Sequence, residues 1–410
     1  MRRADKNLYR EFLRRNLEIF FSKSLWFFLN KALKKFYSDI QEVLLGKSFF
    51  ENKTPFSLNQ YESLAFKKLD YPTYCFFSGG SCDEITLRDN LLAYDHFSLI
   101  PRVLRNPGEV SLSISLLGNL LSFPLIVAPM AFQKLAHCEG EIATAKAVSN
   151  HDLLMTVSTC STSSLKEIRE VSKIPPWFQV YVYKDRHVTK NLVEKVTDLN
   201  YGAIVLTVDA PVYSNRLREK RFPLSFPDSF SFPDLLEAGL YLEGIKSSQI
   251  PKFLSEQLDA SLSWKDIDWI RSLTNLPIIL KGVLHPKDLE IAKKEGIKTI
   301  ILSNHGGRQL DTSITSLKAL EMLGDTLKAD MDIIVDGGVR KGTDLLKGIA
   351  LGAKALMVGR PVLWGLSANG EKGVYDVLDI LKKEFEIAMI LSGARSINNI
   401  SAEIILKNER

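Results

Sequence analysis

From about residue 123 the chain alternates short apolar runs with longer mixed stretches. Eight runs recur: Pro124–Pro129, Leu153–Thr159, Trp177–Val182, Ala203–Asp209, Pro277–Gly282, Thr299–His305, Asp332–Gly338 and Ala355–Pro361. They are apolar along most of their length rather than at every second position, as expected of strands buried on both faces. Most of the intervals have room for a helix, and they predict helices over Glu139–Asn150, Ser163–Val171, Pro286–Glu295 and Gly342–Leu351. Eight strands alternating with helices over about 250 residues is the α/β pattern of a (β/α)8, or TIM, barrel. An open doubly wound sheet is the runner-up, but no G-x-G-x-x-G follows the first strand. The interval between the fourth and fifth runs is longer than the rest. It holds Pro223, Pro227 and Pro233, several aromatics and little regular periodicity. Within a barrel spanning 121–400, residues 211–263 therefore read as an excursion over the mouth, in the manner of a lid.

Upstream, residues 56–120 read as a lead-in. A helix is expected over Leu58–Leu69, followed by Phe76-Phe77-Ser78-Gly79-Gly80, a segment Glu84–Tyr94, and a hairpin over Leu112–Leu121 turning at Gly118-Asn119. Residues 1–55 form a distinct, basic N-terminal extension. No Pro or Gly precedes Gly46, so the segment predicts helix. Over residues 16–37, Ile19-Phe20-Phe21 and Leu25-Trp26-Phe27-Phe28-Leu29 mingle with Lys23, Lys31, Lys34 and Lys35. Such a helix suits docking on the parent fold or on another subunit, and equally suits peripheral contact with an anionic membrane surface. It does not read as a secretory signal, because Lys23 and Asn30 break the apolar stretch and no small-residue cleavage site follows.

Composition changes this picture little. Of the 410 residues, 45% are apolar and 25% charged, ordinary values for a globular protein. No apolar run approaches the roughly 18 residues of a membrane span. The net charge of +5 belongs to the extension: residues 1–53 carry 12 Lys and Arg against 6 Asp and Glu. The body is close to neutral, which argues against nucleic-acid binding. The four cysteines, Cys75, Cys82, Cys138 and Cys160, form no C-x-x-C pair and match neither a zinc site nor a disulfide framework. They read as reduced thiols in a cytoplasmic protein without a bound metal, at most peripheral to the inner membrane face.

The chemistry gathers at the ends of the runs, which a barrel places on one face. These ends carry Pro129-Met130-Ala131, Ser158, Gln179 and Tyr181, Thr207 and Asp209, Lys281, His305 with Arg308, Asp336-Gly337-Gly338, and Gly359-Arg360. In Ser303-Asn304-His305-Gly306-Gly307-Arg308-Gln309-Leu310-Asp311, a histidine that can act as a base is followed by two glycines and an arginine suited to a carboxylate. A tight turn with a surface arginine is the plain alternative for that loop alone. Gly338, Gly359, Arg340 and Arg360, beside a helix opening at Gly342-Thr343, suggest a phosphate site after strands seven and eight. Lys281 ends an apolar strand and needs an electron-rich partner, either a Schiff-base carbonyl or the pyrimidine edge of a flavin.

With Trp177-Phe-Gln-Val-Tyr-Val-Tyr-Lys-Asp-Arg186, Leu206-Thr-Val-Asp-Ala-Pro211, Asp336-Gly-Gly-Val-Arg340, Gly359-Arg-Pro361 and the Ser303–Asp311 loop in view, the chain resembles the FMN-dependent 2-hydroxy-acid oxidases and dehydrogenases over about residues 57 to 400. The resemblance implies an FMN barrel that oxidises a small L-2-hydroxy acid, lactate- or glycolate-like, to the 2-keto acid. It implies His305 as base, Asp209 as its partner, Arg308 and Arg216 as carboxylate ligands, and Tyr181 at the substrate's polar end. Lys281 would sit at the flavin N1/O2 edge. Pro129, Met130, Ala131, Ser158, Gln179 and Thr207 would hold the ring, and Ser303, Asp336, Gly338, Arg340, Gly359 and Arg360 the remainder of the cofactor. Family members are often tetrameric. The electron acceptor stays open between oxygen, a quinone and a carrier protein.

Three departures from the family pattern stand out. Phe76 lies where a substrate-contacting tyrosine is usual, Cys160 lies where many members carry a large aromatic, and Tyr213 adds bulk. The extension has no family counterpart. His137 and His285 also fall near the mouth but lack a matching arginine, while His96, His151 and His187 read as structural or surface residues. Two other classes stay in play: a Schiff-base lyase or isomerase using Lys281, and a non-catalytic flavin-binding member.

Overall fold

In a computed structural model, residues 54–105, 108–227 and 230–408 are described. The expectations for the N-terminal extension, including its helix and membrane contact, lie outside them. Among the described residues no helix is long and apolar enough to cross a membrane.

Eight parallel strands close into a barrel: β1 (Leu125–Val127), β2 (Leu154–Ser158), β3 (Trp177–Val180), β4 (Ala203–Thr207), β5 (Ile278–Val283), β6 (Thr299–Leu302), β7 (Asp332–Asp336) and β8 (Ala355–Val358). Each falls inside or across one of the eight apolar runs. Nearly every residue in them is buried, because one face packs inside the barrel and the other lies under a helix. The pairing of Val358 with Val127 closes the ring.

The helices begin with α1 (Leu58–Lys68), α2 (Tyr71–Ser78) and α3 (Ile85–Leu92) in the lead-in. Around the barrel run α4 (Gly140–Asn150), α5 (Leu165–Val171) and α6 (Arg186–Asp198). The excursion is more regular than its sequence suggests, with three short helices: α7 (Leu217–Arg221), α8 (Pro233–Glu237) and α9 (Ile250–Glu256). Then follow α10 (Asp266–Leu273), α11 (Pro286–Lys294), α12 (Ser316–Met322), α13 (Asp325–Asp330), α14 (Gly342–Ala350) and the long α15 (Arg360–Leu391). The lead-in hairpin pairs Ile114–Leu116 with Asn119–Leu121. Its turn residues are Leu117 and Gly118, both at positive φ, one position earlier than the sequence suggests.

Helix α2 is absent from the sequence-based expectation. Asp70 caps it, its side chain accepting from Thr73 N at 3.0 Å, and Pro72 occupies the first turn. Helix α15 is two helices joined at Asn369–Gly370, where the backbone leaves helical geometry. Its halves touch at two glycines: a Cβ on Gly373 would lie 2.0 Å from the Gly365 carbonyl oxygen, and one on Gly365 would lie 2.4 Å from that of Gly373. Overpacking against backbone costs about 1–3 kcal/mol. Gly373→Ala is therefore expected to lower the thermal midpoint by several degrees, as read by calorimetry, and an unchanged midpoint would mean that the two halves separate without cost.

Candidate active site

The carboxyl ends of the strands and the loops after them enclose one cavity. It is lined by Phe76, Pro129, Met130, Ala131, Ser158, Gln179, Thr207, Tyr181, Arg216, Lys281, His305, Arg308, Asp336, Gly338, Arg340, Gly359 and Arg360. Asp209 and Ser303 stand behind this lining, each bonded to a residue within it. His137 and His285 do not reach it: His137 lies beside Glu139, and His285 caps α11 by accepting from Lys287 N at 3.2 Å.

His305 follows β6 in the left-handed backbone region, φ +59°, a strained setting for a residue with a side chain. Its Nδ1 lies 2.9 Å from Asp209 Oδ1, and its Nε2 lies 3.5 Å from the Tyr181 hydroxyl. A carboxylate at Nδ1 fixes the proton there and leaves the Nε2 lone pair toward the cavity. Burial lowers the His305 pKa below its ordinary 6.5; Asp209 opposes this, while Lys281 and Arg216 add to it. Burial works against the Asp209 carboxylate too, yet His305 and Lys281 outweigh it and hold its pKa below the usual range. The Asp209 position depends on a bulge in β5 between Lys281 and Val283. There Gly282 has φ +106°, and a Cβ on it would meet Asp209 Cγ at 2.5 Å. Gln309 also steadies this strand end, its Nε2 donating to Asp209 O at 2.8 Å.

Beside His305, Arg308 lies 4.8 Å above the Phe76 ring. Its Nη1 donates to Phe76 O at 2.5 Å and to Gly79 O at 3.1 Å. Arg360 donates to Phe77 O at 3.0 Å and, through Nη2, to Gly79 O and Gly306 O at 2.9 Å each. Both arginines thus satisfy the unpaired carbonyls at the C-terminal end of α2, where the helix dipole favours positive charge. Burial pushes the Arg360 pKa down to about 9, aided by Arg308 and Arg340 nearby. The same two causes, burial and then Arg216, bring Arg308 down to about 10.

Glu219 was not anticipated from the sequence. Its Oε1 lies 3.0 Å from Arg308 Nη2 and 3.4 Å from Arg216 Nη1, and Tyr213 donates its hydroxyl to Oε2. The only signal for it is the three-residue spacing from Arg216. Also unanticipated is an aromatic wall in which Phe132 packs on Phe76, Phe226 and Phe232 at 5.0–5.4 Å between ring centres.

The residues fit FMN. Gln179 Nε2 and Thr207 Oγ1 are buried at the cavity without a protein partner, as suits groups that bond a polar ring edge. Lys281 Nζ lies 3.1 Å from Ser303 Oγ and 3.2 Å from Asp336 Oδ2, with Ser303 donating to Asp336 at 2.7 Å. Arg340 and Arg360 repel each other in an enclosed region whose charge calls for an anion such as phosphate.

The chain is similar to known proteins over most of its length. Residues 65–407 match the family model of FMN-dependent dehydrogenases. The chain is 41% identical to an L-lactate oxidase of Nostoc sp. over 358 residues, covering 86% of this chain and 98% of that protein. It is also 41% identical to human 2-hydroxyacid oxidase 1 over 356 residues, covering 86% and 96%. Among solved structures, a mandelate oxidase crystallised with (S)-4-hydroxymandelic acid superposes with a TM-score of 0.79 at 35% identity, over 86% of this chain and 98% of that one. A family match spanning nearly the whole described barrel, joined to relatives covered almost end to end, makes this chain a member of the FMN-dependent dehydrogenase family.

Proposed function

We propose that the barrel oxidises an L-2-hydroxy acid to the 2-keto acid, with His305 as the base. The observation that carries this is the juxtaposition of the Asp209–His305 pair with Arg216 and Arg308 in one cavity. The reaction removes two electrons and two protons. Bound FMN would supply the acceptor for both electrons and the second proton. Arg216 and Arg308 hold the substrate carboxylate, which fixes the hydroxyl-bearing carbon relative to His305. His305 takes a proton at Nε2, and Asp209 stabilises the resulting imidazolium. Tyr181 steadies the hydroxyl end. Lys281, with Ser303 and Asp336, sets a buried cation where negative charge grows during oxidation. Pro129, Met130, Ala131, Ser158, Gln179 and Thr207 would hold the ring, and Gly338, Arg340, Gly359 and Arg360 the phosphate end. A Schiff-base role for Lys281 is disfavoured, because Asp336 and Ser303 engage the nitrogen that would have to attack as a free amine.

The wall of Phe76, Phe132, Cys160, Leu254 and Leu258 faces the cavity with apolar surface. It favours an acid with an apolar side chain, so L-lactate and longer or aromatic 2-hydroxy acids rank above glycolate. The relatives named as oxidases support dioxygen as the acceptor.

An anaerobic absorbance spectrum tests the reading first. Flavin peaks should bleach with L-lactate or a larger L-2-hydroxy acid faster than with glycolate, and air should restore them. Protein that binds no FMN, or flavin that stays oxidised with every acid, overturns the reading; recovery only with a quinone overturns the acceptor. The pH profile tests the base. Protonated His305 is inactive and its pKa lies below 6.5, so kcat/KM should be level at neutral pH and fall only on the acid side of 6.5. Asp209→Asn removes the charge that raises that pKa. Its acid limb should move lower still, while kcat falls by about 10²–10⁴-fold; a limb that stays in place assigns the titration to another group. At the departure from the family pattern, Phe76→Tyr should lower KM for a small acid several-fold. Unchanged turnover and KM would show that a hydroxyl at this position does not reach the substrate.

A further inference from the structure

The arginine pair does not face the cavity as two free charges. One oxygen of Glu219 lies between them, within 3.0 Å of Arg308 and 3.4 Å of Arg216, and the other oxygen accepts from Tyr213. Glu219 is 9% exposed, so solvent screens this contact little. Two neighbours on α7 turn to other partners: Arg218 pairs with Glu84 and donates to Ser78 Oγ, while Lys220 donates to Asn215 Oδ1. The local sum of Arg216, Arg308 and Glu219 is one positive charge. Among the described residues, no protein acceptor engages Arg308 Nε or Arg216 Nη2, so each arginine keeps N–H donors for an incoming carboxylate. Phe76 and Phe132 line the same cavity and pack on each other, an apolar surface poorly suited to a second carboxylate.

Resting on the 2-hydroxy-acid reading, we propose that Glu219 determines charge specificity. It neutralises one of the two arginines, so the site takes a monocarboxylate 2-hydroxy acid and rejects dicarboxylates. It also orients both guanidinium groups through a single shared acceptor. Without it, two like charges in an enclosed pocket would be balanced best by a dianion.

The test uses holoenzyme and unreactive carboxylates, so that binding is read without turnover. Propionate and malonate are titrated into wild type, Glu219→Gln and Glu219→Asp, by calorimetry and by the flavin absorbance change. Wild type should bind propionate at least tenfold more tightly than malonate. Glu219→Gln keeps the shape and removes the charge; its propionate-to-malonate ratio should move tenfold or more toward malonate. With substrates, KM for malate relative to lactate should shift the same way. Glu219→Asp keeps the charge at a longer reach and should bind both more weakly with the wild-type preference intact. A residue that only holds the fold would weaken both ligands equally in Glu219→Gln, and an unchanged ratio overturns the proposal. Wild type that binds malonate as tightly as propionate overturns it as well, even if Glu219→Gln does not fold. Failure of the 2-hydroxy-acid reading is a separate outcome: flavin in wild type that no hydroxy acid bleaches, whatever the carboxylate preference.

Discussion

Like charges enclosed together must be balanced, and that requirement organises the mouth of this barrel. Arg216, Arg308, Arg340, Arg360 and Lys281 all line one cavity. Water screens them poorly in so confined a space, and the protein supplies partners. Asp336 faces Lys281, Glu219 is shared by two arginines, and the carbonyl end of α2 receives Arg308 and Arg360. The carbonyl groups are useful because they carry only partial charge. They orient the guanidinium groups without cancelling them, and the remaining positive potential attracts a phosphate and a carboxylate.

The lead-in therefore belongs to the site as much as the strands do. The loop after β6 is fastened to it at several points. Arg308 holds the end of α2, and Asp311 accepts from Asp83 N at 3.0 Å and from Thr86 N at 2.9 Å at the start of α3. Just ahead of these anchors, His305 keeps a backbone conformation that a free loop would not favour. Gly282, on the neighbouring strand, leaves the room that Asp209 needs to reach it. Backbone strain at one residue is thus offset by hydrogen bonds made by its neighbours.

The barrel was legible because its strands are buried on both faces, so runs such as Ala203–Thr207 and Thr299–Leu302 stand out as unbroken apolar stretches. The strand-end residues were legible for the same reason: polar groups after such runs have few other places to go. What was hidden depends on distance or on shortness. Helix α2 is eight residues and largely apolar, so it has no polar face to reveal a period, although Asp70 and Pro72 mark its start. Glu219 sits on a five-residue helix, and Arg308 is 89 positions away. Phe226, Phe230 and Phe232 follow no single period; only the fold gathers them around Phe132.

The bonds from Arg308 and Arg360 to the end of α2 join residues 232 and 283 positions apart. During synthesis, α2 leaves the ribosome long before either arginine exists. At about 5–20 residues per second, the wait for Arg360 is on the order of 15–60 s. Through that interval the carbonyl end of the helix lacks one or both of these partners. The mouth can assemble only after the last strand is made, so competence to bind ligand is among the final properties this chain acquires.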